Sequence, residues 1–312
     1  MAKSSSKRLS EFTAANHPVR RFRRLKEKAI ELLLFLAAAS SVLVTLAIVG
    51  ILVTESLPFF AHVSLFEFLT EREWTPLFEN AKYGIAPLIC GTFLATLIAL
   101  LVAIPLGTVT AAYLSEYVSP GLRELLKPIL ELLAAIPTVV YGYFALLFVT
   151  PLLQVIFPDM GGFNILSAGI VIGIMIVPYV SSLSEDAMRS VASHLREASF
   201  AMGASRFQTV FRVVIPSAFS GMTSAYILGI SRALGETMVV AIAAGMQPNL
   251  TLNPTQPAAT ITAFIVQVSL GDLPHGSIGY QSIYVAGLTL LIITLSFNVI
   301  GMWIRKKFQE RE

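Results

Sequence analysis

Two opposite charges lie within a long apolar stretch of the sequence. Residues 229–244 read GISRALGETMVVAIAA and carry Arg232 and Glu236 four positions apart. On a helix this spacing places both side chains on one face. A charge at bilayer depth costs about 2.5–3.5 kcal/mol on insertion scales, so such residues usually face a bundle interior or a water-filled path. The pair therefore predicts a route for a charged substrate, with mutual neutralisation that only fixes helix packing as the alternative.

The overall composition is that of a polytopic membrane protein. The chain has 312 residues, of which 55% are hydrophobic and 13% are charged, whereas soluble domains carry about 25% charged residues. Its single cysteine, Cys90, excludes an internal disulfide framework. The four histidines are scattered and have no metal-ligand spacing. Neither a disulfide scaffold nor a zinc site is therefore expected.

Six apolar segments are long enough to be membrane helices. The first, at 32–53, follows an N-terminal arm with nine Lys or Arg among residues 1–30. A basic arm before an apolar run is also typical of a signal peptide, but this run is too long for that. The other segments lie at about 85–113, 130–151, 165–183, 217–246 and 281–304. The segment at 130–151 is expected to be entered through Pro128 and bent at Pro137, because proline disrupts helical hydrogen bonding.

Positive charge sets the expected orientation, since Lys and Arg favour cytoplasmic segments. With a cytoplasmic N-terminus, the inner segments hold 19 of the 22 Lys and Arg residues. The outer segments hold only Arg72 and Lys82, and the remaining cation is Arg232. The sequence therefore predicts six crossings with both termini in the cytoplasm, and Arg232 as the one Lys or Arg within a span.

These segments divide the chain into five parts. They are a cytoplasmic basic arm (1–30), a first transmembrane helix (31–54), an outer loop (55–84), a five-helix core (85–304) and a cytoplasmic tail (305–312). The core includes an inner loop at 184–216 and an outer loop at 247–280. An apolar piece of the latter, 258–270, is too short to span and predicts an interfacial or re-entrant helix. Both outer loops could dock an external partner, with packing onto the bundle as the alternative.

The inner loop at 184–216 has a regular pattern. Apolar residues recur with helical spacing on both sides of Gly203. This predicts a helix, a glycine turn and a second helix lying parallel to the membrane. Exposed Phe200 and Phe207 would require a partner surface, whereas the alternative is an ordinary cytoplasmic loop.

Several motifs resemble those of a known family. Glu197-Ala198-Ser199, Gly203 and Ile215-Pro216 resemble the EAA loop of bacterial ABC-importer permeases, with Ser199 in place of the usual alanine. The segments SRALGETM at 231–238, ELLAAIPTVVYG at 131–142 and IVPY at 176–179 resemble phosphate-transport permeases. The second of these and the long outer loop at 55–84 are closer to the PstC type than to the PstA type. The similarities cover about residues 85–304.

The resemblance implies an all-α membrane protein with six transmembrane helices. Its fold would be that of a type I ABC-importer permease (MetI-like) with a cytoplasmic coupling helix. The chain would form half of the translocation path of an ATP-driven importer of inorganic phosphate in the bacterial inner membrane. The expected partners are a homologous PstA-type permease, a dimer of PstB-type ATPase subunits, a periplasmic PstS-type phosphate-binding protein and the lipid bilayer. No nucleic acid is expected.

Two sets of site residues follow from this resemblance and from the chemistry. The expected ATPase-coupling residues are Arg196, Glu197, Ala198, Ser199, Met202, Gly203 and Pro216. In the substrate path, the Arg232 guanidinium is expected to bind phosphate transiently, while Glu236 holds that guanidinium in the resting state. Further path residues are Ser231 and Thr237 as hydroxyl donors, and Thr138 and Tyr141 after the bend at Pro137. For Thr138 and Tyr141 the alternative is helix packing.

The chain is not expected to be an enzyme by itself. It contains no Gly-Lys dipeptide, so it has no Walker A loop, and no G-x-S-x-G motif. It is therefore expected to bind no cofactor, with ATP and Mg²⁺ held by the partner ATPase. Three other interpretations stay open: a permease for sulfate or molybdate, a stand-alone ion-coupled carrier or channel with an Arg–Glu gate, and a structural or sensing subunit.

Overall fold

The computed structural model describes residues 17–274 and 276–309. The regular structure within these ranges is helical, and its β-pairing is limited to two isolated bridges, Trp74–Tyr83 and Gly245–Ala258. This confirms the predicted all-α class. The first 16 residues of the predicted basic arm and residues 310–312 of the predicted tail lie outside the described residues.

The helices are numbered here in chain order. They are α1 (His17–Phe60), α2 (Leu65–Thr70), α3 (Ala86–Glu116), α4 (Pro120–Ala135), α5 (Thr138–Ile156), α6 (Ile165–Arg189), α7 (Ser193–Ala201), α8 (Arg206–Ser217), α9 (Phe219–Leu234), α10 (Met238–Ala243), α11 (Ile261–Gln267) and α12 (Ile278–Gln309). Short π-helical segments lie within α5 (Ala145–Val149) and α8 (Val210–Val214), and a third (Val268–Asp272) follows α11. Within the described ranges, five helices are long and apolar enough to cross a membrane, and the bent pair of α8 and α9 gives a sixth.

The chain divides after Thr54 into two compact units. The first unit contains most of α1, which is longer than the predicted first span at 31–54. The helix starts at His17, inside the predicted arm, and continues to Phe60, inside the predicted outer loop. The only prolines of α1 are Pro18 and Pro58, near its two ends. Proline is tolerated in the first turn of a helix, so nothing between these positions interrupts the hydrogen bonding.

The core of the second unit is the close packing of α3 on α6. The contact uses small residues, as is typical of membrane helices. A Cβ atom added at Gly173 would lie 2.7 Å from the carbonyl oxygen of Ala99 and 2.6 Å from Cβ of Val102. At Gly169 the same atom would lie 2.7 Å from Cβ of Ile98. Glycine is therefore required at both positions by the approach of α3.

The predicted third span at 130–151 is two separate elements. Helix α4 ends at Ala135, Ile136 is extended with φ −65° and ψ 130°, and α5 begins at Thr138 after Pro137. A residue before proline is disfavoured in the helical conformation, which explains the break. Pro128 lies inside α4 and does not start it. The spanning helix is α5, while α4 has no buried residue.

The predicted fifth span at 217–246 is also broken. Helices α8 and α9 meet at a bend of 74° around Ala218. Helix α9 then ends at Leu234, and α10 begins only at Met238. The continuous helix assumed from the apolar pattern is therefore wrong, because Gly235, Glu236 and Thr237 leave the helical hydrogen-bonding pattern.

The two predicted outer loops pack onto each other and onto the core. Phe59, Phe68, Trp74 and Tyr83 form an edge-to-face aromatic cluster, and Trp74 also contacts Phe264 of α11 with ring centroids 5.0 Å apart. Helix α11 confirms the predicted short apolar helix of the second loop. Much of the aromatic content of the first loop is thus explained by packing.

Candidate functional site

Arg232 lies in the last turn of α9 and faces α6. Its guanidinium carbon is 4.1 Å from the ring centroid of Tyr179, a cation–π distance. Its Nε atom is buried and has no hydrogen-bond partner among the residues that the structure describes. An unsatisfied buried donor is costly, so most proteins avoid one unless a ligand or water completes it. The Nε of Arg232 is therefore available to a hydrogen-bond acceptor from outside the described residues.

Glu236 does not share a helical face with Arg232. It lies in the break between α9 and α10, where its Oε1 accepts a hydrogen bond from the Val239 amide at 3.3 Å. Its carbonyl oxygen accepts from the Thr262 hydroxyl at 2.7 Å. Among the described residues, no ion pair within 4.0 Å joins Arg232 to Glu236. The predicted resting pair is thus wrong for this structure, because the four-residue spacing brings the charges together only on a continuous helix.

The other predicted path residues are mostly occupied by protein contacts. Ser231 Oγ donates to Asn298 Oδ1 of α12 at 2.8 Å, and Thr237 Oγ1 donates to the Gly235 carbonyl at 3.0 Å. The buried Tyr141 hydroxyl donates to the Leu133 carbonyl at 2.7 Å. Thr138 is the half-buried first residue of α5. The structure therefore does not gather these hydroxyls around Arg232, since those of Ser231, Thr237 and Tyr141 donate to protein acceptors instead.

Tyr179 is the functional candidate to which the sequence assigned no role. It follows Pro178 in α6, within the IVPY motif that already marked this segment. Its hydroxyl donates to the Ala134 carbonyl at 3.4 Å, next to the carbonyl that Tyr141 contacts. The last carbonyls of a helix lack partners within it. The two tyrosines therefore fix the end of α4, and one of them also faces Arg232.

A cluster of ion pairs joins α4 to α6. Glu185 of α6 is 0% exposed, and it accepts from Arg123 Nε at 2.6 Å and Lys127 Nζ at 2.8 Å. Lys127 also contacts Asp186 at 2.6 Å, and Arg189 lies 3.8 Å from Glu185. Burial by itself lowers the pKa of Lys127, but its hydrogen bonds to Asp186 and Glu185 outweigh this and raise that pKa. No local pattern in the sequence indicated this cluster, which fixes α4 against α6.

The inner loop forms the predicted helix, glycine turn and second helix. Helix α7 ends near Met202, and Gly203 has φ +82°, a conformation that favours glycine. Helix α8 then starts with a capping box between Ser205 and Gln208. Glu197, Ala198 and Gly203 are exposed, and Met202 is 88% exposed. Pro216 is exposed in the last turn of α8, just before the bend at Ala218.

Arg196 points into the protein instead of outward. Its guanidinium contacts Glu116 at the end of α3 at 2.9 Å and donates to the Met188 carbonyl at 2.8 Å, with a further bond to the Val191 carbonyl. Ser199 shares a hydroxyl–hydroxyl hydrogen bond of 2.9 Å with Thr209 of α8. Two of the predicted coupling residues therefore hold α7 in place, and Glu116 is a partner that the sequence did not indicate.

A metal centre is not supported by the described residues, which contain no group of three or more His, Cys, Asp or Glu side chains able to hold an ion. The chemistry available here is instead anion binding at Arg232. The other candidate site is a surface, called here the coupling segment and defined as residues 193–217. It presents exposed apolar side chains next to exposed Glu197.

Comparison with known proteins gives consistent results. Residues 103–311 match the family model described as "Binding-protein-dependent transport system inner membrane component". The chain is 37% identical over 235 residues to the "Probable ABC transporter permease protein YqgH" of Bacillus subtilis, covering 75% of this chain and 76% of that protein. It is 33% identical over 269 residues to the "Phosphate transport system permease protein PstC" of Mesorhizobium japonicum, covering 79% and 80% respectively.

Solved structures support the fold. A bacterial ABC transporter involved in import of the acidic polysaccharide alginate matches with a TM-score of 0.64 and 17% identity, covering 92% of this chain and 99% of that one. The MetNI methionine ABC transporter in an inward-facing conformation matches with a TM-score of 0.53 and 18% identity, covering 72% and 94%. At these identities the likeness concerns the fold alone, and it confirms the predicted type I permease architecture.

Proposed function

The chain belongs to the family of binding-protein-dependent transport system inner membrane components, and from this premise we propose that it is the transmembrane permease subunit of an ATP-driven importer of inorganic phosphate. The relatives named PstC support phosphate as the substrate. The observation that carries the proposal is the buried Nε of Arg232, which lies in an apolar segment and has no hydrogen-bond partner among the described residues. The protein is a multi-pass inner-membrane protein.

Phosphate binding at Arg232 follows from the chemistry of the two groups. Phosphate is an anion with several oxygens, and a guanidinium offers a planar fork of donors that stays charged when partly buried. No carboxylate neutralises Arg232 in the described structure, and its Nε lacks an acceptor. The anion would therefore meet an open cation. Ser231, Thr237 and Tyr141 donate to protein acceptors here, so we assign anion binding to Arg232.

Coupling to ATP hydrolysis is assigned to the coupling segment. Its exposed Met202 and Phe200 form an apolar surface that suits the groove of an ATPase subunit. Arg196 and Glu116 connect α7 to α3, while α8 leads through the bend at Ala218 into α9. Since α9 carries Arg232 at its far end, closure of the ATPases would be transmitted to the anion site as a movement of whole helices.

The remaining assembly follows from this function. We infer a PstA-type permease as the second half of the path, two PstB-type ATPase subunits beneath it and a PstS-type phosphate-binding protein outside. The distribution of Lys and Arg supports cytoplasmic placement of both termini. The chain itself would bind no cofactor and would not be an enzyme, because ATP and Mg²⁺ would be bound by the ATPase subunits.

The proposal is tested by phosphate uptake in vesicles that contain the co-expressed complex, with and without ATP. We expect uptake to require ATP and to fall at least tenfold in Arg232→Lys, because losing one charged hydrogen bond costs about 1.5 kcal/mol or more. Arg305→Lys is the matched control, since Arg305 is an exposed arginine of α12. Co-purification of the subunits establishes that the variants assemble.

Three results would contradict the proposal. Uptake without ATP would indicate a stand-alone carrier. Full activity of Arg232→Lys would show that the guanidinium fork is dispensable. Stronger inhibition by sulfate or molybdate than by unlabelled phosphate would indicate a permease for another oxyanion.

A further inference from the structure

The contact between Tyr179 and Arg232 has a specific geometry. The guanidinium lies over the face of the ring, 4.1 Å from its centroid. A ring face attracts a cation through its quadrupole and accepts no conventional hydrogen bond from the edge of the guanidinium. The buried Nε donor therefore stays without a partner. The ring holds the charge in place without neutralising it.

We propose that Tyr179 is a positioning residue for anion transport, which keeps the Arg232 guanidinium open to phosphate by preventing its pairing with Glu236. This inference rests on the proposed function and deepens it. The sequence alone suggested that the Glu236 carboxylate holds the Arg232 guanidinium, whereas this inference assigns that role to the ring of Tyr179. A carboxylate partner would occupy the donors that phosphate needs, whereas the ring leaves them available.

The competing carboxylate is close along the chain. Glu236 follows Arg232 by four residues, and its Oε1 is held by one hydrogen bond of 3.3 Å from the Val239 amide. Opposite charges at contact distance attract strongly where the effective dielectric constant is low. An Arg232 side chain released from the ring would therefore pair with Glu236. The resulting ion pair would occupy the guanidinium donors that phosphate needs.

The Tyr179 hydroxyl also contacts the end of α4. The Tyr179 hydroxyl donates to the Ala134 carbonyl at 3.4 Å, and Tyr141 donates to the neighbouring Leu133 carbonyl at 2.7 Å. Helix α4 is in turn attached to α6 through Glu185. The ring is thus held mainly by its own helix α6, with a long contact from its hydroxyl to the end of α4.

The test is a double-mutant cycle on the complete complex in proteoliposomes, with ATP inside and labelled phosphate outside. Wild type, Tyr179→Leu, Glu236→Gln and the double variant are compared by KM and maximal rate of uptake. We expect Tyr179→Leu to raise KM by roughly 2- to 30-fold, the range that the loss of a cation–π contact covers. Adding Glu236→Gln should reverse most of this increase, because the competing charge is then absent.

Tyr179→Phe is the matched control, since it keeps the ring and removes the hydroxyl. Its KM should stay closer to wild type than that of Tyr179→Leu. The inference is overturned if Tyr179→Leu has the wild-type KM, if Tyr179→Phe is as impaired as Tyr179→Leu, or if Glu236→Gln changes KM equally in both backgrounds. Tyr179→Met repeats the test if the leucine variant does not assemble. A wild-type complex that transports no phosphate would instead refute the proposed function.

Discussion

Glu185 and Arg232 are both charges placed within apolar helices, but their surroundings differ. Glu185 is fully buried and hydrogen-bonded to Arg123 and Lys127. Arg232 lies against the ring of Tyr179, and its buried Nε has no hydrogen-bond partner among the described residues. A buried charge with complete hydrogen bonding is already satisfied by the protein, whereas an incompletely bonded one can gain free energy from a ligand. The first arrangement is suited to a scaffold and the second to a binding site.

The two sites share one helix. Tyr179 and Glu185 both belong to α6, and both reach α4: Glu185 through its ion pairs and Tyr179 through the Ala134 carbonyl. The satisfied cluster therefore supports the unsatisfied site. Substitutions in the first should change stability, and substitutions in the second should change transport, and this difference can be measured.

The largest effect on stability is expected for Glu185→Gln. Removing one partner of a buried ion pair costs about 3–5 kcal/mol because the remaining charges lose their compensation. Denaturant unfolding of the purified complex in detergent measures the change. Arg232→Lys should lose less than about 1 kcal/mol in the same assay, since only part of a cation–π contact is affected.

The matched control for this experiment is Glu131→Gln. Glu131 is an exposed carboxylate of α4 whose contact with Ser182 is long, at 3.4 Å. Its substitution should leave stability nearly unchanged. Equal losses for Glu185→Gln and Glu131→Gln would remove the distinction between scaffold and binding site.

A smaller, mixed effect is expected for Arg196→Lys. Arg196 is well bonded, as Glu185 is, but it lies in the coupling segment. Lysine keeps a charge beside Glu116 but cannot reproduce every contact to Glu116 and to the two carbonyl groups, and the loss of one charged hydrogen bond costs about 1.5–3 kcal/mol. We expect the complex to assemble while phosphate uptake per ATP hydrolysed falls several-fold. Both rates are measured on the same vesicles, with Arg206→Lys, an exposed arginine of α8, as the control. An unchanged ratio would restrict Arg196 to a purely static role.

The smallest effect is expected for Tyr141→Phe. This change removes one hydrogen bond to the Leu133 carbonyl, which contributes about 0.5–1.5 kcal/mol of stability, and leaves the ring in place. Uptake should stay within about twofold of wild type, because the Tyr141 hydroxyl makes a neutral hydrogen bond to a protein carbonyl and is not assigned to the anion. Tyr143→Phe, at an exposed position of α5, is the control. A large loss of uptake in Tyr141→Phe but not in Tyr143→Phe would indicate that the Tyr141 hydroxyl lines the substrate path, as the sequence predicted.

Much of this architecture could be predicted from local patterns. Apolar length identified the spans, and the spacing around Gly203 predicted the two helices of the coupling segment. The short apolar helix of the second outer loop was identified in the same way. Arg232 was identified because a charge in an apolar segment is costly at bilayer depth and usually has a function. Each of these inferences depends on neighbours in the sequence, which a single chain shows directly.

The incorrect predictions concern breaks and distant partners. Apolar content does not show that α9 ends at Leu234, so the pairing of Arg232 with Glu236 rested on a helix that is not continuous. Arg123 meets Glu185 across 62 positions of sequence, and Arg196 meets Glu116 across 80. Such contacts depend on how helices pack, which no local pattern encodes. For the same reason the bonds of Arg196 to Glu116 and to two carbonyl groups were not predicted.

The π-helical segment at Val210–Val214, within the coupling segment, sets the rotational phase between α7 and α9. One residue of an α-helix corresponds to a rotation of about 100°, so a single deletion there would turn everything before it by that angle relative to everything after it. Val210 and Val214 are both buried, so they fix this phase against the core. Chimeric permeases that exchange coupling segments should therefore place their junctions outside these five residues. A shift of register within them would rotate α7 relative to α9, so that a movement of α7 would no longer be transmitted to α9, even though every contact residue is still present.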